Sequence, residues 1–157
     1  MFNPQLILVP TDFSESTAQS SRLAALEAVS MAEQSGASLL FLHVIAEDVA
    51  RKPFFFLDDD KIQDLRRRYL ENAKNELEAF AKRYVGRQKV EYITRIREGV
   101  PYNEILAEQK DSGADLVVIS TRGMSGLQEF FFGSTTEKVV RWATCNVLVV
   151  RHSHANF

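Results

Sequence analysis

The strongest constraint on this chain is its alternation of short apolar runs with longer helical stretches. Leu6-Ile7-Leu8-Val9, Ser38-Leu39-Leu40-Phe41-Leu42-His43-Val44, Leu116-Val117-Val118-Ile119 and Val147-Leu148-Val149-Val150 are nearly continuous apolar segments. Strands of this kind are covered on both faces. A further run from Val90 to Ile96 alternates, with Val90, Tyr92, Thr94 and Ile96 on one side, which suits an edge. Strands interleaved with helices imply an α/β fold: a doubly wound, Rossmann-like, five-stranded parallel sheet with four helices. The expected strand order is 3-2-1-4-5, with 2-1-3-4-5 as the competitor. At 157 residues, and without a repeat or linker to divide it, the chain is expected to form one domain over 1–157.

The helices have their own signals. The first covers about 15 to 35, with Ser16 and Gln19 spaced as a capping box, Gly36 as its stop, and Ala18, Ala25, Val29 and Ala32 turned inward. The second, about 60 to 85, carries Leu65, Tyr69, Ala73, Leu77, Phe80 and Tyr84 at helical spacing. The third begins at Pro101 and stops near Gly113. The last starts at Ser134, with Glu137 completing a second capping-box pair. Residues 46–60 form a long connection, either a lid or contact surface or a loop pinned by Phe54, Phe55 and Phe56.

Charge and composition narrow the function. A formal net charge of −2 leaves no basic field to hold nucleic acid, and Arg66-Arg67-Arg68 read as a solvated helix face. Cys145 is the only cysteine, so no intramolecular disulfide can form. No stretch approaches the ~20 apolar residues of a membrane helix. The opening MFNPQLILVP lacks a basic n-region, so a cytoplasmic protein without a signal peptide is expected.

In an open parallel sheet of order 3-2-1-4-5, ligands bind beyond the strand ends between strands one and four. The two segments brought there are Pro10-Thr11-Asp12-Phe13-Ser14 and the stretch STRGMSGLQEFFFGSTTE, from Ser120 to Glu137. The second combines glycines, aromatics and hydroxyls, and ends in a helix N-terminus, which suits an anion such as phosphate. Gly133 lets an anion approach the backbone, and Ser134, Thr135 and Thr136 add hydroxyls. The plainer reading is that the glycines turn and Ser134 caps. Arg122 either pairs with phosphate oxygens or is solvated. Asp12 is also a good helix N-cap. His43 reads as a packing residue at a strand end, and His152 and His154 as a tail pair. The loop has no lysine after its last glycine and follows the fourth strand rather than the first, so neither the P-loop nor the dinucleotide fingerprint fits.

These residues resemble the universal stress protein family over essentially the whole chain. The resemblance rests on Val9-Pro10-Thr11-Asp12-Phe13-Ser14, Leu42-His43-Val44, Gly99-Val100-Pro101 and the loop after strand four. The nucleotide-binding branch of that family carries the pattern Gly-x2-Gly-x9-Gly-Ser/Thr. Gly123, the nine residues from Met124 to Phe132, and Gly133-Ser134 reproduce its later parts, while Ser120 stands where the first glycine falls. The resemblance implies ATP as ligand, with Mg²⁺ or Mn²⁺ at the phosphates. It implies that Asp12 meets the ribose or a metal-bound water, and that Val44 offers backbone groups to adenine. Ile119 and Ser120 would border the ribose, and Gly123, Gly133, Ser134 and Thr136 would contact phosphates.

The leading expectation is an ATP-binding stress-response protein acting by nucleotide-dependent change of state or partner. Without a catalytic set beyond Asp12, at most slow hydrolysis or autophosphorylation would follow. A nucleotide-free dimeric interaction module is the alternative; hydrolysis of a small phosphorylated ligand has no nucleophile and base behind it. Because Val147–Val150 is an apolar edge strand without charge or proline, a homodimer through it is expected, as the resemblance also implies.

Overall fold

A computed structural model describes residues 1–13, 18–46, 58–121 and 133–151. The elements run β1 (Leu6–Thr11), α1 (Ala18–Ser35), β2 (Ser38–Ala46), α2 (Asp59–Val85), β3 (Tyr92–Gly99), α3 (Pro101–Ser112), β4 (Leu116–Ser120), α4 (Ser134–Trp142) and β5 (Asn146–Val150). The strands form a parallel sheet in the order β3-β2-β1-β4-β5, the first of the two expected orders. Three of the four runs expected to be buried on both faces are so: Ile7, Leu8, Val9, Leu39 to Leu42 and Leu116 to Ile119 face two separate apolar layers, whereas Val147 to Val150, at the sheet edge, are only half-buried. One layer takes Ala25, Val29 and Ala32 of α1 with Leu77 and Ala81 of α2. The other takes Ile105 of α3 and Val139 of α4.

Three expectations change. The edge strand β3 runs from Tyr92 to Gly99 rather than from Val90 to Ile96: it starts two residues later and extends past the apolar alternation, where its charged end pairs with β2 and is held by ion pairs. Arg97 meets Glu104, Glu108 and Asp111 of α3, Arg95 also meets Glu108, and Glu98 meets Arg66 of α2. Hydrogen bonds that Arg97 donates to Glu104 and then Glu108 push its pKa above the ordinary value, so the pairing favours the charged guanidinium. In α2 the helical stripe is only partly inward. Ala73, Leu77, Ala81 and Val85 are buried, whereas Leu65 and Tyr69 are 43% and 46% exposed. A helix of 27 residues is about 40 Å long, but the 9-residue β2 spans only about 30 Å, so the first turns of α2 overhang the sheet.

The third change is at α4. Ser134 is its first helical residue rather than its cap: Gly133, at φ −57 and ψ 154, occupies the cap position and its carbonyl accepts Glu137 N–H at 3.0 Å. Glu137 meets Arg141 instead of reaching back to close a capping box. By contrast, α3 does start at Pro101 and ends at Gly113 with φ 73. The first helix's capping pair at Ser16, the connection over 47–57, and the tail histidines at 152 and 154 lie outside the described residues.

Candidate functional site

The sheet parts at one seam. The β1–β2 ladder runs from Leu6 to Thr11, but the β1–β4 ladder holds only Ile7 with Leu116 and Leu8 with Val117. Pro10 has no N–H with which to continue it. Beyond these pairs the strand ends diverge, and the gap opens into a cleft of about 560 Å³, within the range of small-ligand sites.

Of the residues singled out in the sequence, Pro10, Thr11, Asp12, Val44, Ile119, Ser120, Thr135 and Thr136 line this cleft. Gly133 and Ser134 stand at the start of α4 without lining it, and Arg122 and Gly123 lie outside the described residues. Pro10, Val44 and Ile119 supply apolar wall, suited to the faces of a flat base. Among the described lining residues the ionisable side chains are Asp12, Glu76, His43 and Tyr69, with no lysine or arginine.

The polar groups at the rim are organised by side chains. Thr136 is buried and its hydroxyl donates to Ser120 O at 2.9 Å, tying the start of α4 to the end of β4. That proton is therefore committed, so the expected contact of Thr136 with a phosphate falls to its backbone N–H. As the first helical residues, Ser134, Thr135 and Thr136 have no acceptor for their N–H groups within α4, and the helix dipole adds partial positive charge there. On the opposite side Thr11 Oγ1 donates to Leu42 O at 3.3 Å, Asp12 N donates to Ser21 Oγ at 3.1 Å, and His43 Nδ1 lies 3.0 Å from Thr11 O.

Several lining residues carry no binding role in the sequence reading. Tyr69, Asn72 and Glu76 reach the cleft from the middle of α2, beside the buried Ala73 and Leu77, and Pro101 and Ile105 come from α3. The helical spacing of 69, 72, 73 and 76 was the available signal, but it reads equally as core. Placement of α3 depends on Gly99: at φ 147, a Cβ there would sit 2.7 Å from Glu104 Oε1, so only glycine lets the Arg97-bound Glu104 close over the end of β3.

A cleft at the strand reversal point, facing a helix N-terminus, is common to many α/β proteins. The family is decided by comparison: the model of the Universal stress protein family matches residues 4–151. The chain belongs to the universal stress protein family. Universal stress protein YxiE of Bacillus subtilis (strain 168) is 33% identical, over 96% of this chain and 100% of its own. Universal stress protein MJ0577 of Methanocaldococcus jannaschii is 29% identical, over 95% of this chain and 96% of its own. A solved structure of MJ0577 matches with a TM-score of 0.76 at 27% identity, covering 96% of this chain and 98% of the other. At the level of fold alone, a universal stress protein in complex with cAMP matches with a TM-score of 0.66 at 22% identity, covering 97% and 100%. The five-stranded order of this chain is thus that of a universal stress protein, and the cleft lies at its strand reversal.

Proposed function

We propose that this universal stress protein binds ATP in the β1–β4 cleft and acts in the cytoplasmic stress response through nucleotide-dependent change of state or partner. The observation that carries the reading is the parted seam, which faces the start of α4, where no side chain caps the helix; the sequence spacing Gly123-x9-Gly133-Ser134 supports it. The base lies against Pro10, Val44 and Ile119, the ribose near Asp12 and Ser120, and the phosphates at Gly123, Gly133 and the first amides of α4. Arg122 and the Thr135 hydroxyl are further phosphate partners in this arrangement. Among the described residues no group of three His, Cys, Asp or Glu side chains comes together for a metal ion. Mg²⁺ or Mn²⁺ is assigned to the phosphates, with Asp12 as the nearer partner by resemblance and Glu76 as the other carboxylate among the described lining residues.

The test is mass spectrometry of the small molecules released when freshly purified protein is denatured, followed by titration with ATP and Mg²⁺. Co-purified adenine nucleotide, or saturable uptake by emptied protein, is expected. Neither signal would leave the nucleotide-free interaction module as the better reading.

The same protein is proposed to be a homodimer through Val147–Val150. The other sheet edge, β3, is guarded by Arg95, Arg97 and Glu98 in ion pairs, whereas β5 is apolar and hydrogen-bonds β4 on one side. Antiparallel pairing of β5 with its copy would cover that edge. Val149→Lys is expected to shift the light-scattering mass from dimer toward monomer; equal dimerisation by the variant would remove this interface.

A further inference from the structure

The turn that leaves β1 for the cleft is pinned at both ends of a single peptide unit. The carbonyl of Thr11 and the N–H of Asp12 belong to the same planar group, so fixing both fixes its orientation. On one side Asp12 N donates to the hydroxyl of Ser21, a buried residue of α1. On the other, His43 Nδ1 lies 3.0 Å from Thr11 O, a contact made available because Thr11 and His43 are register partners in β1 and β2. A carbonyl oxygen can only accept, so Nδ1 carries the proton and, in the neutral ring, Nε2 is the bare nitrogen. The ring is also held from outside. Phe13 lies 4.7 Å from it, and Phe13 in turn packs edge-on to Phe80, which packs on Phe41 in the core.

We propose that His43, as the Nδ1–H tautomer, is a positioning residue of the cleft: its hold on the Thr11 carbonyl sets the direction in which Asp12 leaves the backbone. The ligand that benefits is the nucleotide of the reading above, on which this part of the proposal rests; the hold itself does not depend on it. His43 bridges the polar rim and the aromatic core, because the imidazole offers both a donor to Thr11 and a flat face to Phe13. A leucine at 43 would keep apolar bulk but release the carbonyl.

Two substitutions separate positioning from packing. His43→Asn places an amide nitrogen where Nδ1 stood, whereas His43→Gln carries its amide one bond farther, to the reach of Nε2; both lose the ring. ATP affinity is expected to fall about tenfold in His43→Gln and to stay within about threefold of wild type in His43→Asn, the scale of one hydrogen bond. Nitrogen-15 NMR of the wild type should show the His43 proton on Nδ1. The Asp12 amide should exchange with deuterium faster in His43→Gln than in His43→Asn. A proton on Nε2, or equal behaviour of the two variants in affinity and exchange, overturns the proposal. If the wild type takes up no ATP, the nucleotide reading falls, and the tautomer and the Asp12 exchange rates decide the His43 hold by themselves.

Discussion

Between β1 and β4 the two ends of the sheet are built in opposite ways. At the amino end the seam is stitched. The Asp115 carboxylate accepts Gln5 N–H at 2.9 and 3.1 Å and Leu6 N–H at 3.1 Å, and Asp115 N donates back to Leu6 O at 3.1 Å. Gln109 beside it donates to Ala114 O and accepts from Thr144, each at 3.0 Å. At the carboxyl end, side-chain bonds tie each strand to a different neighbour: Thr11 and His43 join β1 to β2, and Thr136 joins α4 to β4. The same polar chemistry that closes the seam at one end ties each of its two lips to another neighbour at the other. An opening made this way is preorganised, because each lip is fixed to its own neighbour before any ligand arrives.

The contrast predicts that the two ends can be disturbed separately. The largest effect on folding is expected from Asp115→Ala, which removes a charged acceptor from two backbone N–H groups. Loss of about 2 kcal/mol of unfolding free energy in urea is expected, with ATP affinity unchanged, and a matching loss of affinity would show that the ends are not independent. Next is Thr136→Val, which keeps the shape but frees Ser120 O. It should cost about 1 kcal/mol of stability and also weaken ATP, since the tie orients α4 toward the cleft. A variant that loses affinity at full stability would instead make the hydroxyl a direct ligand contact. Ser120→Gly should tighten ATP by about 1 kcal/mol if the Cβ crowds the ligand, whereas a fall would make the serine hydroxyl a contact. The smallest effect concerns Cys145 at the stitched end. Burial first, and Asp115 second, push its thiol pKa up. Less thiolate is then present at any pH below that value, so alkylation at pH 8 should be slower than for a free thiol, and faster in Asp115→Ala than in wild type.

The sequence shows these ends unequally. The apolar runs declare β1, β2 and β4 because strands covered on both faces leave no polar alternation, and β5 shows the same apolar run although it is a half-buried edge. The strand order then brings Pro10 to Asp12 toward Ser120, and those residues do line the cleft. The end of β3 is hidden because Arg97 and Glu98 look like loop residues until α2 and α3 supply their partners. Tyr69, Asn72 and Glu76 are hidden for a different reason: one stretch of α2 carries both them and the buried Ala73 and Leu77, and helical spacing does not separate core from cleft. The capping box at Ser134 failed on a single residue, since Gly133 had already taken the cap position. The His43 to Thr11 contact follows from the β1–β2 register, which no local pattern states.

The parted seam as a nucleotide site is tested most directly by calorimetric titration of ATP and Mg²⁺ into the wild type and Gly133→Val. Gly133 sits at φ −57, a value valine adopts without strain, so the added side chain tests approach to the α4 amides rather than folding. Saturable binding by the wild type is expected, with affinity at least about tenfold weaker in a Gly133→Val protein that remains folded, its stability lowered by no more than the loss of a glycine cap allows, about 1 kcal/mol. No uptake by the wild type, or equal affinity in a folded Gly133→Val protein, would contradict the account.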